Sequence, residues 1–155
     1  MRLTIVALGH RMPAWVDAAV ADYAKRLPRD WNFALRELKP AARDRGRSVA
    51  QLLAAEAGVI LQATRGAMLV ACDERGAAWT TRQLAERLAR WRDDDSNVAF
   101  VIGSADGLAP EVREAAAAQV ALSAMTLPHG LVRVLLAEQL YRSSSLIAGH
   151  PYHRD

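Results

Sequence analysis

Residues 97–110, NVAFVIGSADGLAP, pass from a continuous apolar run through a glycine-containing turn to a proline. A short apolar run without alternation is typical of a strand that is buried on both faces of a sheet. Pro110 suits the first position of a helix, because the N–H group that proline lacks would have no helical partner there. The stretch therefore predicts a strand, a loop and a helix in that order, which is the repeating unit of an α/β fold.

The same unit recurs along the rest of the chain. Further strands are predicted at residues 3–9, 33–39, 67–73 and 120–127. The weaker pattern of residues 33–39 indicates an edge or near-edge strand. We expect one α/β domain over residues 1–155, with a parallel-type sheet of five or six strands and helices on both faces. In such sheets, ligands bind beyond the carboxyl ends of the strands.

Helix starts are marked by proline and by capping residues. Pro13 fits the start of the first helix, and the last helix is predicted from about Gly130. Two other helices are predicted to begin at capping boxes, formed by Ser48 with Gln51 and by Thr80 with Gln83.

Composition and missing motifs exclude several classes of protein. No apolar run approaches 18 residues and the N-terminal run is too short for a signal peptide, so we expect a soluble, cytoplasmic protein without membrane contact. The single Cys72 cannot form an internal disulfide. The first strand is not followed by G-x-G-x-x-G, and neither G-x-x-x-x-G-K-[ST] nor G-x-S-x-G occurs. A dinucleotide-binding domain, a P-loop hydrolase and a serine hydrolase with a nucleophile elbow are therefore not predicted.

The cations of this chain are mostly arginine, with 18 Arg against two Lys in a chain of formal net charge +3. Arginine matches phosphate geometry, although a genome that favours Arg codons explains the same excess. Arg43, Arg45 and Arg47 form a basic loop at a predicted carboxyl end of the sheet. This loop is interpreted either as a phosphate contact or as a solvated loop.

Four stretches together resemble one family: GSADGL at 103–108, LSAMTLPHGLVRVLLAEQLYR at 122–142, HPYHRD at 150–155 and ALGHRMPAWVDAAVADYAKRLP at 7–28. They resemble the RlmH (YbeA) family of SPOUT-superfamily methyltransferases over the whole chain. The resemblance implies a C-terminal deep trefoil knot. It also implies an S-adenosylmethionine-dependent enzyme that methylates N3 of a pseudouridine in 23S rRNA.

By the same resemblance, the cofactor would lie against the loops after the third, fourth and fifth strands. The matching positions are Cys72, Gly103, Leu122, Ser123, Ala124, Met125, Thr126 and Leu127. The loop Gly103-Ser104-Ala105-Asp106-Gly107 departs from the family's usual Gly-Gly-Pro-Glu-Gly. Backbone groups that hold an adenine tolerate such changes better than side-chain ligands would.

The reaction implied by the resemblance needs help with a proton, because the imide nitrogen of pseudouridine loses one as it is methylated. A general base or a stabiliser of the ring anion is required. The candidates are His153, Tyr152, Arg154 and Arg142, three of them in the polar tail. A frayed tail is the alternative. A metal site built from His129, His150 and His153 is a further one, but the spacing lacks a completing carboxylate or Cys and no metal is predicted.

The last helix and the family resemblance indicate the expected partners. The last helix has more apolar residues than one buried face can hold, which predicts a homodimer. The resemblance implies ribosomal RNA in the 70S ribosome or large subunit as substrate. Arg43, Arg45 and Arg47, whose guanidinium groups suit phosphate, are the candidate RNA contacts. An RNA-binding protein without turnover and a metal-dependent hydrolase remain alternatives.

Overall fold

The computed structural model describes residues 1–43 and 46–152. Eleven elements follow one another in this part of the chain. They are β1 (Arg2–Leu8), α1 (Ala14–Arg26), a 3-10 turn (Arg29–Trp31), β2 (Ala34–Leu38), α2 (Val49–Ala63), β3 (Met68–Ala78), α3 (Thr81–Asp93), β4 (Asn97–Ile102), α4 (Pro110–Ala115), β5 (Ala118–Ala121) and α5 (His129–Ile147).

The five strands form one sheet in the order β2-β1-β4-β3-β5, and every neighbouring pair is parallel. The predicted α/β class is confirmed, as is the position of β2 at an edge. Both predicted capping boxes are present at the starts of α2 and α3. None of the described helices is long and apolar enough to span a bilayer.

Both faces of the sheet are buried, which explains why its central strands consist mostly of apolar residues. On β1, Leu3 and Ile5 face one core cluster while Val6 and Leu8 face the other. The first cluster includes residues of α1, α3 and α5, and the second includes residues of α2 and α4. Helices therefore cover both faces, as predicted. A ligand can reach the sheet at the carboxyl ends of its strands.

The fifth strand differs from the prediction. A strand was expected over residues 120–127, but β5 covers only Ala118–Ala121. Its partner β3 reaches Ala78, which pairs with Ala121, so no strand offers hydrogen bonds to the residues that follow. The chain then turns into a loop, in which the Ser123 hydroxyl accepts a hydrogen bond from the Met125 N–H at 2.9 Å.

The third strand is longer than predicted, and it carries a bulge between Cys72 and Ala77. Gly76 lies in this bulge, directly against β5. A Cβ atom there would come within 2.5 Å of the Val120 nitrogen, so only glycine allows so close an approach. The bulge turns residues 73–75 toward the carboxyl edge of the sheet.

Candidate active-site cleft

A cleft of about 800 Å³ opens at the carboxyl ends of β3, β4 and β5. Three segments form most of its wall: residues 72–75, residues 102–108 and the loop between β5 and α5. The start of α5 closes one side through Pro128, His129 and Val132. The volume lies within the range of roughly 300–1,000 Å³ that is usual for small-molecule and cofactor sites.

The loop after β4 is tightly closed on itself. The Gly107 N–H donates to the Ser104 carbonyl at 2.9 Å, and Gly107 has a φ of +86°. A Cβ on Gly103 would lie 2.4 Å from the Gly107 oxygen. Gly103 is thus required by the loop's own backbone, a constraint that the sequence did not distinguish from close approach to a ligand.

Charged side chains of both signs border the cleft. Asp73 accepts a hydrogen bond from the Arg75 N–H at 2.9 Å and lies 3.7 Å from Arg113. Glu74 lies 3.5 Å from the Thr126 hydroxyl, which joins the bulge of β3 to the loop after β5. The cleft therefore offers carboxylates and guanidinium groups next to apolar walls.

Seven of the eight predicted cofactor residues line this one cleft, and only Ala124 does not. They come together because the bulged part of β3 and the loops after β4 and β5 meet at the same edge of the sheet. Cys72, which was predicted in the loop after the third strand, lies within β3. Met125 is 76% exposed at the rim. Burial raises the pKa of the Cys72 thiol to about 12, so this side chain is a neutral wall residue rather than a thiolate nucleophile.

His129 begins α5 beside a buried arginine that sequence reasoning missed. Partial burial and the nearby Arg133 charge lower the pKa of His129, which favours the neutral imidazole. Arg133 is fully buried and donates to Glu37 and to the carbonyls of Leu8 and Gly9. The only signal in the sequence is a cation inside the apolar run LVRVLL.

The described catalytic candidates lie at the other end of α5. Arg142 pairs with Glu138 at 2.5 Å, and this hydrogen bond raises the pKa of Arg142. The Tyr152 hydroxyl lies 3.4 Å from the same Glu138, and the Tyr152 ring packs on Tyr141. Burial and the Glu138 charge raise the pKa of Tyr152, so its phenol stays protonated at neutral pH.

Neither Arg142 nor Tyr152 lines the cleft. At 1.5 Å per residue, Arg142 lies about 20 Å along the helix axis from His129. The structure therefore does not bring these two candidates to the cofactor residues of the same chain. His153 and Arg154 lie outside the described residues.

The predicted basic loop is in part engaged within the chain. Arg43 forms an ion pair with Asp106 at 2.6 Å, which links this loop to the one after β4. Arg47 is exposed, and Arg45 lies outside the described residues. Among residues 1–43 and 46–152 there is no group of three His, Cys, Asp or Glu side chains suited to a metal ion.

Comparison with known proteins places this architecture. The family model described as "Predicted SPOUT methyltransferase" matches residues 1–153. The chain belongs to the SPOUT methyltransferase family. The predicted family is thereby confirmed, while the knot stays a prediction.

Relatives and solved structures agree with this membership. A protein of Nitrosospira multiformis is 54% identical over 156 residues, and one of Burkholderia multivorans is 53% identical over 155, with 99% of each chain covered. Both are named ribosomal RNA large subunit methyltransferase H. A probable methyltransferase from Bordetella pertussis Tohama I has a TM-score of 0.56 at 13% identity, covering 92% of this chain and 95% of that one. A putative methylase family protein from Neisseria gonorrhoeae gives 0.53 at 12%, covering 99% and 86%. At such identities these two structures support the fold alone.

Proposed function

We propose that this SPOUT family member is an S-adenosylmethionine-dependent methyltransferase that methylates N3 of a pseudouridine in 23S rRNA. The observation that carries the proposal is the convergence of the β3 bulge and the loops after β4 and β5 on one cleft, where seven of the eight predicted cofactor residues lie. Relatives of nearly full length that are more than half identical are named as ribosomal RNA large subunit methyltransferases, which supports the same substrate class. We propose the cytoplasm as its location, because ribosomes are found there.

The residues of the cleft fit the proposed cofactor. Ile102, Val120 and Leu122 offer apolar walls for an adenine, and the closed loop of residues 103–107 offers backbone groups at close range. The carboxylates of Asp73 and Glu74 suit a cationic group, and Arg75 and Arg113 suit a carboxylate. When bound, S-adenosylmethionine supplies an electrophilic methyl group on a sulfonium, which needs no metal.

The protein's own residues must orient the pseudouridine ring and remove the proton from its N3 atom. Tyr152, with its raised pKa, acts as a hydrogen-bond donor to a ring carbonyl rather than as a base. Arg142 is a permanent cation that stabilises negative charge on the ring. His153 is the proposed base and Arg154 a second cation, both in the tail that follows Tyr152.

A homodimer reconciles the positions of the two residue sets. Within one chain, Arg142 and Tyr152 lie at the far end of α5 from the cleft. Leu131, Leu135 and Leu146 are partly exposed on one side of this helix, where the ion pair of Glu138 and Arg142 lies between Leu135 and Leu146. If two chains pair through that side, the tail of one protomer reaches the cleft of the other.

The RNA would approach across the carboxyl edge of the sheet, next to Arg43, and Arg45 and Arg47 are the other proposed contacts. A protein of 155 residues has little surface with which to enclose a long RNA. We therefore propose the large subunit or the assembled 70S ribosome as the substrate, because the ribosome presents the nucleotide in a fixed shape.

Two measurements test the enzyme. Calorimetric titration with S-adenosylmethionine tests the cofactor, and transfer of a labelled methyl group to ribosomes from a strain lacking the gene tests the reaction. Mass mapping of the product should find one methyl group on N3 of a pseudouridine in 23S rRNA. Cofactor binding without methyl transfer would favour the alternative of an RNA-binding protein that lacks turnover.

Mixing two inactive variants tests the shared site. Gly103→Val disables the cleft but keeps the tail, whereas deletion of residues 150–155 keeps the cleft. If the tail acts across the dimer, random exchange of protomers should restore about a quarter of the wild-type rate, because half the dimers are mixed and each has one complete site. No recovery after exchange, with dimers present, would mean that the tail acts within its own chain.

A further inference from the structure

We infer that Glu56 is a positioning residue, which holds the loop of residues 103–107 in the shape that the cleft requires by bonding Ser104 and the backbone of Ala41. The inference rests on the proposed function, since the effect is measured on S-adenosylmethionine. Glu56 does not line the cleft and touches none of the reacting groups.

Each carboxylate oxygen of Glu56 accepts a hydrogen bond from a different loop. Its side chain lies on α2 and the residue is only 5% exposed. One carboxylate oxygen accepts a hydrogen bond from the Ser104 hydroxyl at 2.8 Å. The other accepts one from the Ala41 N–H at 3.1 Å. Two loops that are distant in the sequence are thus joined through a single buried side chain.

A carboxylate at this place is not explained by packing. Leu52, Ala57 and Ile60, the other buried positions of α2, are all apolar. A buried carboxylate is costly unless it is hydrogen-bonded, and an apolar side chain would fill the same space without that cost. The two hydrogen bonds are what the carboxylate provides and an apolar residue cannot.

The hydrogen bond from Ser104 to Glu56 lies at the residue whose carbonyl closes the turn of the loop. Ser104 follows Gly103, and its carbonyl accepts the Gly107 N–H that closes the turn. If the hydroxyl were released, the turn would lose its tie to α2. The second tie, Arg43 to Asp106, involves an arginine side chain that is 59% exposed, and exposed ion pairs contribute little. The buried Glu56 bond is therefore the stronger of the two.

The test is calorimetric titration with S-adenosylmethionine on a small set of full-length variants. Ser104→Ala removes one bond and should weaken cofactor affinity by about fivefold to tenfold, a usual size for a single hydrogen bond. Glu56→Met removes both and should weaken it by at least about tenfold. Glu56→Gln should stay within about twofold of wild type, because its amide oxygen can accept from Ala41 and its NH₂ can donate to the Ser104 oxygen.

A matched control separates positioning from general stability. Val59→Gly lowers helix propensity on the exposed face of α2 without touching either loop, and should leave affinity within about twofold. In the Glu56→Met background, adding Ser104→Ala should cause no further loss, since the bond is already absent. In turnover, Ser104→Ala should raise the KM for S-adenosylmethionine and leave kcat at saturation within about twofold.

The outcomes distinguish two failures. Wild type that does not bind S-adenosylmethionine would overturn the proposed function and this inference with it. Wild type that binds, with Ser104→Ala and Glu56→Met binding equally well, would overturn the inference alone. An equal loss of affinity in Val59→Gly would also overturn it, because the effect would then belong to the stability of α2. If Glu56→Met does not fold, the cofactor affinities of Ser104→Ala and Glu56→Gln are compared instead. Equal affinities would overturn the inference.

Discussion

Replacement of Gly103 by alanine should damage both the fold and the cleft, and the structure gives the size of the effect. The new Cβ would lie 2.4 Å from the Gly107 oxygen, whereas real Cβ contacts stay above 3.0 Å. The obstacle is backbone, so the turn from Ser104 to Gly107 must open. Overpacking of this kind costs about 1–3 kcal/mol, and the strained turn bond adds up to about 1 kcal/mol.

We therefore expect Gly103→Ala to lose about 2 kcal/mol of unfolding free energy, which lowers the Tm by roughly 4–8 °C at this chain length. The same movement shifts the cleft wall, and a change of about 1.4–2.8 kcal/mol there weakens S-adenosylmethionine binding by roughly tenfold to a hundredfold. Thermal unfolding and calorimetric titration measure the two effects separately.

Gly58→Ala is the matched control, because nothing lies within 4 Å of its Cβ position and it sits on the exposed face of α2. The same substitution should there stabilise the helix by about 0.5–1 kcal/mol. An unchanged Tm and unchanged affinity for Gly103→Ala would refute the reasoning, because the loop would then open at no cost.

Three further predictions concern buried or shielded groups. Arg133→Met should lower the unfolding free energy in urea by about 2–3 kcal/mol, because it leaves the carbonyls of Leu8 and Gly9 without their buried donor, whereas the exposed Glu37 stays solvated; a loss below about 1 kcal/mol would contradict this. His129 has a folded-state pKa below its usual value of 6.5, so the unfolded state binds its proton more readily and stability should fall as the pH drops below about 6.5. His129→Gln should flatten that part of the pH profile, and an unchanged slope would assign it to other groups. Cys72, with a pKa of about 12, should react with iodoacetamide at pH 8 at least about tenfold more slowly than a free thiol, and alkylation at the free-thiol rate would contradict the raised pKa.

The sequence predicted well those elements that depend on neighbouring residues or on burial of both faces of a strand. The run NVAFVI is buried on both faces of the sheet, so its lack of alternation identified a central strand. The capping boxes at Ser48 and Thr80 depend only on residues three positions apart. The edge position of β2 followed from its weaker apolar pattern.

The failures arose where a distant partner decides the structure. The run VALSAMTL reads equally as a buried strand and as a loop along an apolar cleft, and only the end of β3 at Ala78 separates the two. The sequence around Glu56 does not indicate its burial, because its partners Ser104 and Ala41 come from other loops. The role of Arg133 was likewise not predicted, since the carbonyls to which it donates belong to β1 and the residue after it.

The resemblance named two sets of site residues, and the fold separates them within one chain. The predicted cofactor residues that line the cleft come from β3 and from the loops after β4 and β5, so the cleft is formed within a single protomer. Tyr152 and Arg142 are tied to Glu138 near the other end of α5, about 20 Å along the helix axis. If both sets act in the same reaction, the tail must come from a second copy. Methyl transfer would then depend on dimer concentration while cofactor binding would not, because mass action applies only to the step that needs both chains.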